Sequence, residues 1–69
     1  MTPMREARLA RGLMLKDAAA MAGVDTGALS RFERGQEHVS LPALYRLAKA
    51  IGLEALEREL APYVLEHKK

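Results

Sequence analysis

The 69-residue chain contains no cysteine and no tryptophan. Without thiols it has neither disulfides nor cysteine-ligated zinc, and it fits a reducing compartment without requiring one. It also lacks a long apolar run. The longest, residues 18–24, is far too short to cross a bilayer, and Arg5, Glu6 and Arg8 interrupt the N-terminus before a signal-peptide core could form. These absences predict a soluble, cytoplasmic chain with no membrane partner. The arrangements that carry catalysis are missing as well: there is no glycine-rich phosphate loop, no nucleophile elbow and no paired-carboxylate site. His38 and His67 lie far apart and outside any H-E-x-x-H spacing, so neither a metal, a cofactor nor an enzymatic activity is expected.

What is present is a small, charged, helix-forming sequence. One domain of this length has a core so limited that its helices must pack well, or its chains must pair, for it to be stable. The formal net charge is only +2, but it is unevenly placed. Residues 1–52 carry eight basic and five acidic side chains, whereas residues 53–69 carry three basic and four acidic. The basic excess therefore lies in the first three quarters of the chain, where phosphates would be met.

Punctuation divides the chain into helices. Thr2 and Pro3 open the first, a threonine cap followed by a proline where its missing N–H costs nothing, and Gly12 ends it. Met4, Ala7 and the stem of Arg8 share one face, with Leu13 folding in after the turn. An alanine-rich second helix covers residues 15–22. Asp25 caps a third over residues 26–34, stopped by Gly35. Ser40 caps a fourth, with Pro42 in its first turn and Leu41, Leu44, Leu47, Ala48 and Ile51 on its inner face, and Gly52 ends it. Leu53, Leu56 and Leu60 suggest a fifth over residues 54–60, which Pro62 should break. The methionines Met4, Met14 and Met21 read as gap-fillers near the core, with Met14 a candidate exposed spot. The only strand-like alternation is Tyr63, Val64 and Leu65, so the fold class is all-α.

The most informative stretch is residues 15–34, LKDAAAMAGVDTGALSRFER. Ala19 stands where a second helix can cross so closely that only a methyl group fits. Gly23, four residues on, can take the positive φ of a tight turn. Val24, Leu29 and Phe32 supply the apolar contacts, which leaves Thr26, Gly27, Ser30 and Arg31 pointing elsewhere. A helix whose outer face carries short polar groups and an arginine is shaped to enter a DNA major groove.

Here the chain resembles the phage repressor and Cro (Xre-like) helix-turn-helix family over residues 4–56. The resemblance covers MREARLARGL, the stretch just described, its ending SRFERG, and SLPALYRLAKAIGL, four segments in order without a gap. It implies a compact five-helix, lambda-repressor-like domain at residues 1–61 and a separate tail at 62–69. It also pairs Arg8 with Glu33, the positions where the family joins its first helix to the end of its recognition helix. A bidentate guanidinium there would fix the angle between helices and could offer a further N–H to a phosphate.

By the same resemblance Thr26, Gly27, Ser30 and Arg31 hold the base-reading positions, Arg31 foremost because its fork matches guanine O6 and N7. Gly27 has no side chain to read with, so it either admits close backbone approach or shifts specificity to its neighbours and DNA shape. Leu15 replaces the glutamine many members use on a phosphate; the backbone amides at that helix start remain available, with Lys16 beside them. Lys16, Arg34 and His38 are the other phosphate candidates, whereas Glu37 would oppose binding if it faced the DNA.

Beyond the four-helix core, Leu53, Leu56, Leu60, Tyr63 and Val64 are divided between capping that core and pairing two chains, with Tyr45 and Arg46 as further interface candidates. The expected function is a sequence-specific double-stranded DNA-binding regulator, a repressor acting as a homodimer on a pseudo-palindromic operator. No ligand-sensing domain is expected in a stand-alone chain of this length. The alternative is a protein-interaction module of the same fold, antitoxin-like, binding a toxin or other protein through Tyr63, Val64 and Leu65. Gly27, Leu15 and Glu37 motivate it, since fold alone does not prove function.

Overall fold

A computed structural model describes residues 3–65, and these form five α-helices without a strand. They are α1 (Pro3–Ala10), α2 (Leu15–Ala22), α3 (Thr26–Glu33), α4 (Leu41–Ile51) and α5 (Glu54–Leu65). Thr2, the expected cap of α1, and His67 lie outside the described residues.

Local chemistry sets the boundaries. The Asp25 carboxylate accepts the Ala28 N–H at 3.1 Å at the start of α3, and the Ser40 hydroxyl accepts the Ala43 N–H at 3.2 Å at the start of α4. Each satisfies a donor that a helix start leaves without an intrahelical partner. α2 ends differently. Gly23 takes φ 71°, the Val24 N–H reaches back to the Ala19 carbonyl at 3.0 Å, and the Gly23 N–H bonds Ala20 at 3.2 Å. This Schellman closure turns the chain sharply into α3. A side chain there would be held in the left-handed region, so Gly23→Ala should lower stability by about 1–2 kcal/mol. A thermal melt reads this as a Tm drop of about 4–8 °C per kcal/mol in a domain this small.

α4 packs against both α2 and α5. Ala18, Ala19 and Ala22 are fully or almost fully buried, which is what lets neighbouring helices approach α2 so closely. Leu29 from α3 and Leu47 and Ile51 from α4 are the largest fully buried side chains, and Met4 joins them from α1. Ala7, Leu13, Val24 and Phe32 pack against this cluster from its edge.

Three packing expectations are corrected. Leu41 is 48% exposed, because it falls in the first turn at the edge of the α4 inner face, and buried Ala43 fills that end of the face instead. Met21 is solvent-facing rather than a gap-filler, while Met14 takes the exposed position for which it is a candidate and Met4 is the core methionine among the described residues. Pro62 does not break α5, which runs on to Leu65 through the boundary expected after residue 61 and takes up Tyr63, Val64 and Leu65 as helix. The proline ring is on the exposed side, while Leu60 is buried and Ala61 and Val64 are half-buried, so packing holds the turn together despite one missing backbone bond. Pro62→Ala restores that bond. A helix-interior proline costs about 3 kcal/mol, partly offset by the freedom alanine adds to the unfolded chain, so the net gain should reach about 2 kcal/mol by urea denaturation.

Candidate nucleic-acid interface

The geometry of the site begins at a buried ion pair. Arg8 of α1 donates from Nε to Glu33 Oε2 at 2.7 Å and from Nη2 to Glu33 Oε1 at 3.0 Å. Its remaining nitrogen, Nη1, donates to the Leu13 carbonyl at 2.7 Å. Both residues are almost wholly buried, at 5% and 2% exposure. One guanidinium thus ties α1, the loop leading into α2 and the last residue of α3 to a single geometry. Each of the three nitrogens donates inside the fold, so a phosphate contact by Arg8 would have to use a remaining Nη hydrogen of a side chain only 6% exposed.

With α3 held in this way, Leu29 and Phe32 turn inward and the opposite face is left to solvent. Thr26 and Arg31 are exposed, and Gly27 and Ser30 partly so. Arg34, at the C-cap of α3, lies back along the helix and donates from Nε to the Ser30 carbonyl at 3.3 Å. Lys16 is exposed in the first turn of α2 and His38 is exposed in the loop before α4. Leu15 turns its side chain toward the core. Met14 provides no side-chain cap, so the start of α2 presents its backbone amides.

Arg31 is not a loose surface side chain. Its Nε donates to Glu37 Oε1 at 2.5 Å, although the two side chains remain 47% and 38% exposed. The hydrogen bond to Glu37, and next the charge of Glu37, hold the guanidinium above its ordinary range; slight burial opposes this and Asp25 adds to it. Arg31 therefore stays a cation throughout the working pH range. Its Nη1 passes over Gly27: a Cβ at that glycine would sit 3.3 Å from Nη1 and 3.0 Å from the Asp25 carboxylate.

The dimer-interface candidates separate. Leu60 is only 8% exposed and belongs to the chain's own core, which corrects its assignment to a partner surface. Leu53 and Leu56 are half-buried and line an apolar groove with Pro3, Met4, Phe32 and Leu44. Tyr63 and Leu65 are exposed at the end of α5, and Val64 is half-buried. Tyr45 is half-buried with the Lys49 ammonium 6.0 Å from its ring centre. Arg46 is committed elsewhere: its Nε donates to the Ala22 carbonyl at 2.6 Å, closing the C-terminal end of α2 with a cation where the helix dipole favours one.

Two of these contacts have no local signature in the sequence. The Arg31 to Glu37 link spans the end of α3, where no helical spacing relates the two residues. The Arg46 cap crosses from α4 to α2, 24 residues away in the chain. Opposite charges flanking Gly35 were the only hint of the first, and nothing in the local pattern signalled the second. Among the described residues no cluster of three potential ligands could hold a metal ion, and no helix is long and apolar enough to cross a membrane.

Two short helices joined by a glycine-closed turn, the second with its outer face free, define a helix-turn-helix protein. The helix-turn-helix family model matches residues 4–57, and the chain belongs to this family, the Xre-like group of DNA-binding regulators. No curated protein and no solved structure matches it.

Proposed function

We propose that the chain is a sequence-specific repressor that binds a pseudo-palindromic operator in duplex DNA as a homodimer and occludes a promoter. The observation that carries this reading is the outer face of α3, where Thr26, Ser30 and Arg31 stand clear of the core, with the Arg31 guanidinium lying across Gly27. Arg31 is the base reader, suited to guanine O6 and N7, with Thr26 and Ser30 beside it. Lys16, Arg34, His38 and the amides at Leu15 meet phosphates and set the register. Leu53 and Leu56, in the apolar groove, and Tyr63 and Val64 beyond them supply the surface for a second chain. Pairing places two copies of α3 about one turn of DNA, roughly 34 Å, apart. The reading puts the chain in the cytoplasm with its DNA, without metal, cofactor or catalytic step.

Selection of bound duplexes from a random pool at about 50 and about 200 mM salt tests this. Lys16 and Arg34 of two chains give four cationic phosphate contacts, for which a fourfold rise in salt should cost about a hundredfold in affinity. The expected product is a palindromic consensus recovered poorly at the higher salt. A single, unpaired half-site would remove the dimer from the account.

The exposed Tyr63 and Leu65 favour a second reading, an antitoxin-like module that docks the end of α5 on another protein. A folded chain that enriches no duplex even at low salt would decide for it.

A further inference from the structure

We infer that Glu37 and Gly27 determine specificity by positioning Arg31: Glu37 holds the guanidinium by Nε over the space that Gly27 leaves empty, so that a preset fork faces one base. The inference rests on the proposed reading that α3 enters the major groove, and adds to it the two residues that had looked like obstacles to DNA binding.

The geometry distinguishes positioning from obstruction. Glu37 engages only Nε, and among the described residues neither terminal nitrogen of Arg31 has a hydrogen-bond partner. A guanidinium held by Nε keeps its two terminal nitrogens as a planar pair of donors, the arrangement that guanine O6 and N7 accept. Glu37 therefore does not occupy the edge that would read a base. An exposed arginine otherwise samples many rotamers, and fixing it before binding reduces the entropy lost on contact.

Gly27 is part of the same arrangement. With a Cβ there, Nη1 of Arg31 would have to give way at 3.3 Å and the Asp25 carboxylate at 3.0 Å, both tighter than ordinary contact. Asp25 is held by its bond to the Ala28 N–H and Arg31 by its bond to Glu37, so a methyl group would press on both and move the terminal nitrogen of Arg31 by a few tenths of an ångström. Gly27 lies in the first turn of α3 without a positive φ, so what distinguishes it there is the space above it rather than backbone freedom.

The test uses the duplex carrying the selected consensus and three duplexes in which the guanine assigned to Arg31 is replaced by each other base. Glu37→Ala should raise affinity for all four, because a negative charge near phosphates is lost, while discrimination for guanine falls about tenfold. Glu37→Gln keeps an acceptor for Nε without the charge, and should retain discrimination to within about threefold while sharing the gain in affinity. Gly27→Ala should lose discrimination by a similar factor with little change in Tm, the helix preference of alanine offsetting the crowding of the Asp25 cap. Glu37→Ala binding every duplex more tightly at undiminished discrimination would overturn the positioning role and leave Glu37 a repelling charge. Arg31→Ala separates the two levels. Lost discrimination in Arg31→Ala alone overturns this inference and keeps the base-reading assignment; unchanged discrimination in Arg31→Ala overturns both.

Discussion

Glu33→Ala lowers the free energy of unfolding by about 3–5 kcal/mol, because it leaves the Arg8 guanidinium buried at 5% exposure without its counter-charge. A chain of this size has only about 3–10 kcal/mol in total, so the variant should be partly or wholly unfolded at room temperature. Urea denaturation monitored by helix content measures the loss. The cause is not that ion pairs are strong. Desolvating two charges costs several kcal/mol each, and the bidentate geometry to Glu33 recovers that cost only while both partners are present. Replacing both partners by apolar residues, Arg8→Met with Glu33→Leu, should therefore recover much of the lost stability. If Glu33→Ala alone shifted the midpoint no more than a surface substitution does, the ion pair would not be what joins α1 to α3.

Arg31→Ala has the second large effect, and it falls on recognition rather than folding. The side chain is 47% exposed and its ion pair with Glu37 is on the surface, so the melt should change by no more than such a pair contributes, about 0–1 kcal/mol. Discrimination at one guanine in each half-site should fall by about ten- to a hundredfold, while phosphate contacts keep the remaining positions intact. A phosphate-contacting arginine would behave otherwise: its removal would weaken every sequence alike and flatten the salt dependence. Repeating the duplex selection with the variant separates the two, since only a base reader erases a discrete position from the consensus.

Much of the fold is legible in the sequence because its determinants are local. Asp25 and Ser40 announce helix starts through the side-chain oxygens that accept at 3.1 and 3.2 Å, and Gly23 announces a turn through a φ that other residues avoid. The alanines of α2 are informative for a related reason: three small side chains on one face are of use only where another helix comes close. The interior of α5 is illegible by the same standard. Pro62 carries the strongest local signal for a break, yet the helix continues because Leu60 and Val64 pack, and packing is not written in neighbouring residues. The candidate interface divides in the same way. Thr26, Ser30 and Arg31 are placed on the outer face by helical periodicity around Leu29 and Phe32, which the sequence carries plainly. Glu37 on Arg31 and Arg46 on the Ala22 carbonyl depend on how loops and helices meet in space. The sequence gives Glu37 only its sign, and a sign alone suggests repulsion of DNA rather than the grip on Nε that the structure contains.

The claim that α3 enters the major groove and reads guanine through Arg31 is tested most directly by replacing each guanine of the selected duplex, one at a time, with 7-deazaguanine, which lacks the N7 acceptor. The wild-type chain should lose affinity at one guanine per half-site, by about tenfold, and Arg31→Ala should bind the normal and substituted bases there equally. Equal losses in both proteins, or no loss at any guanine, would contradict it.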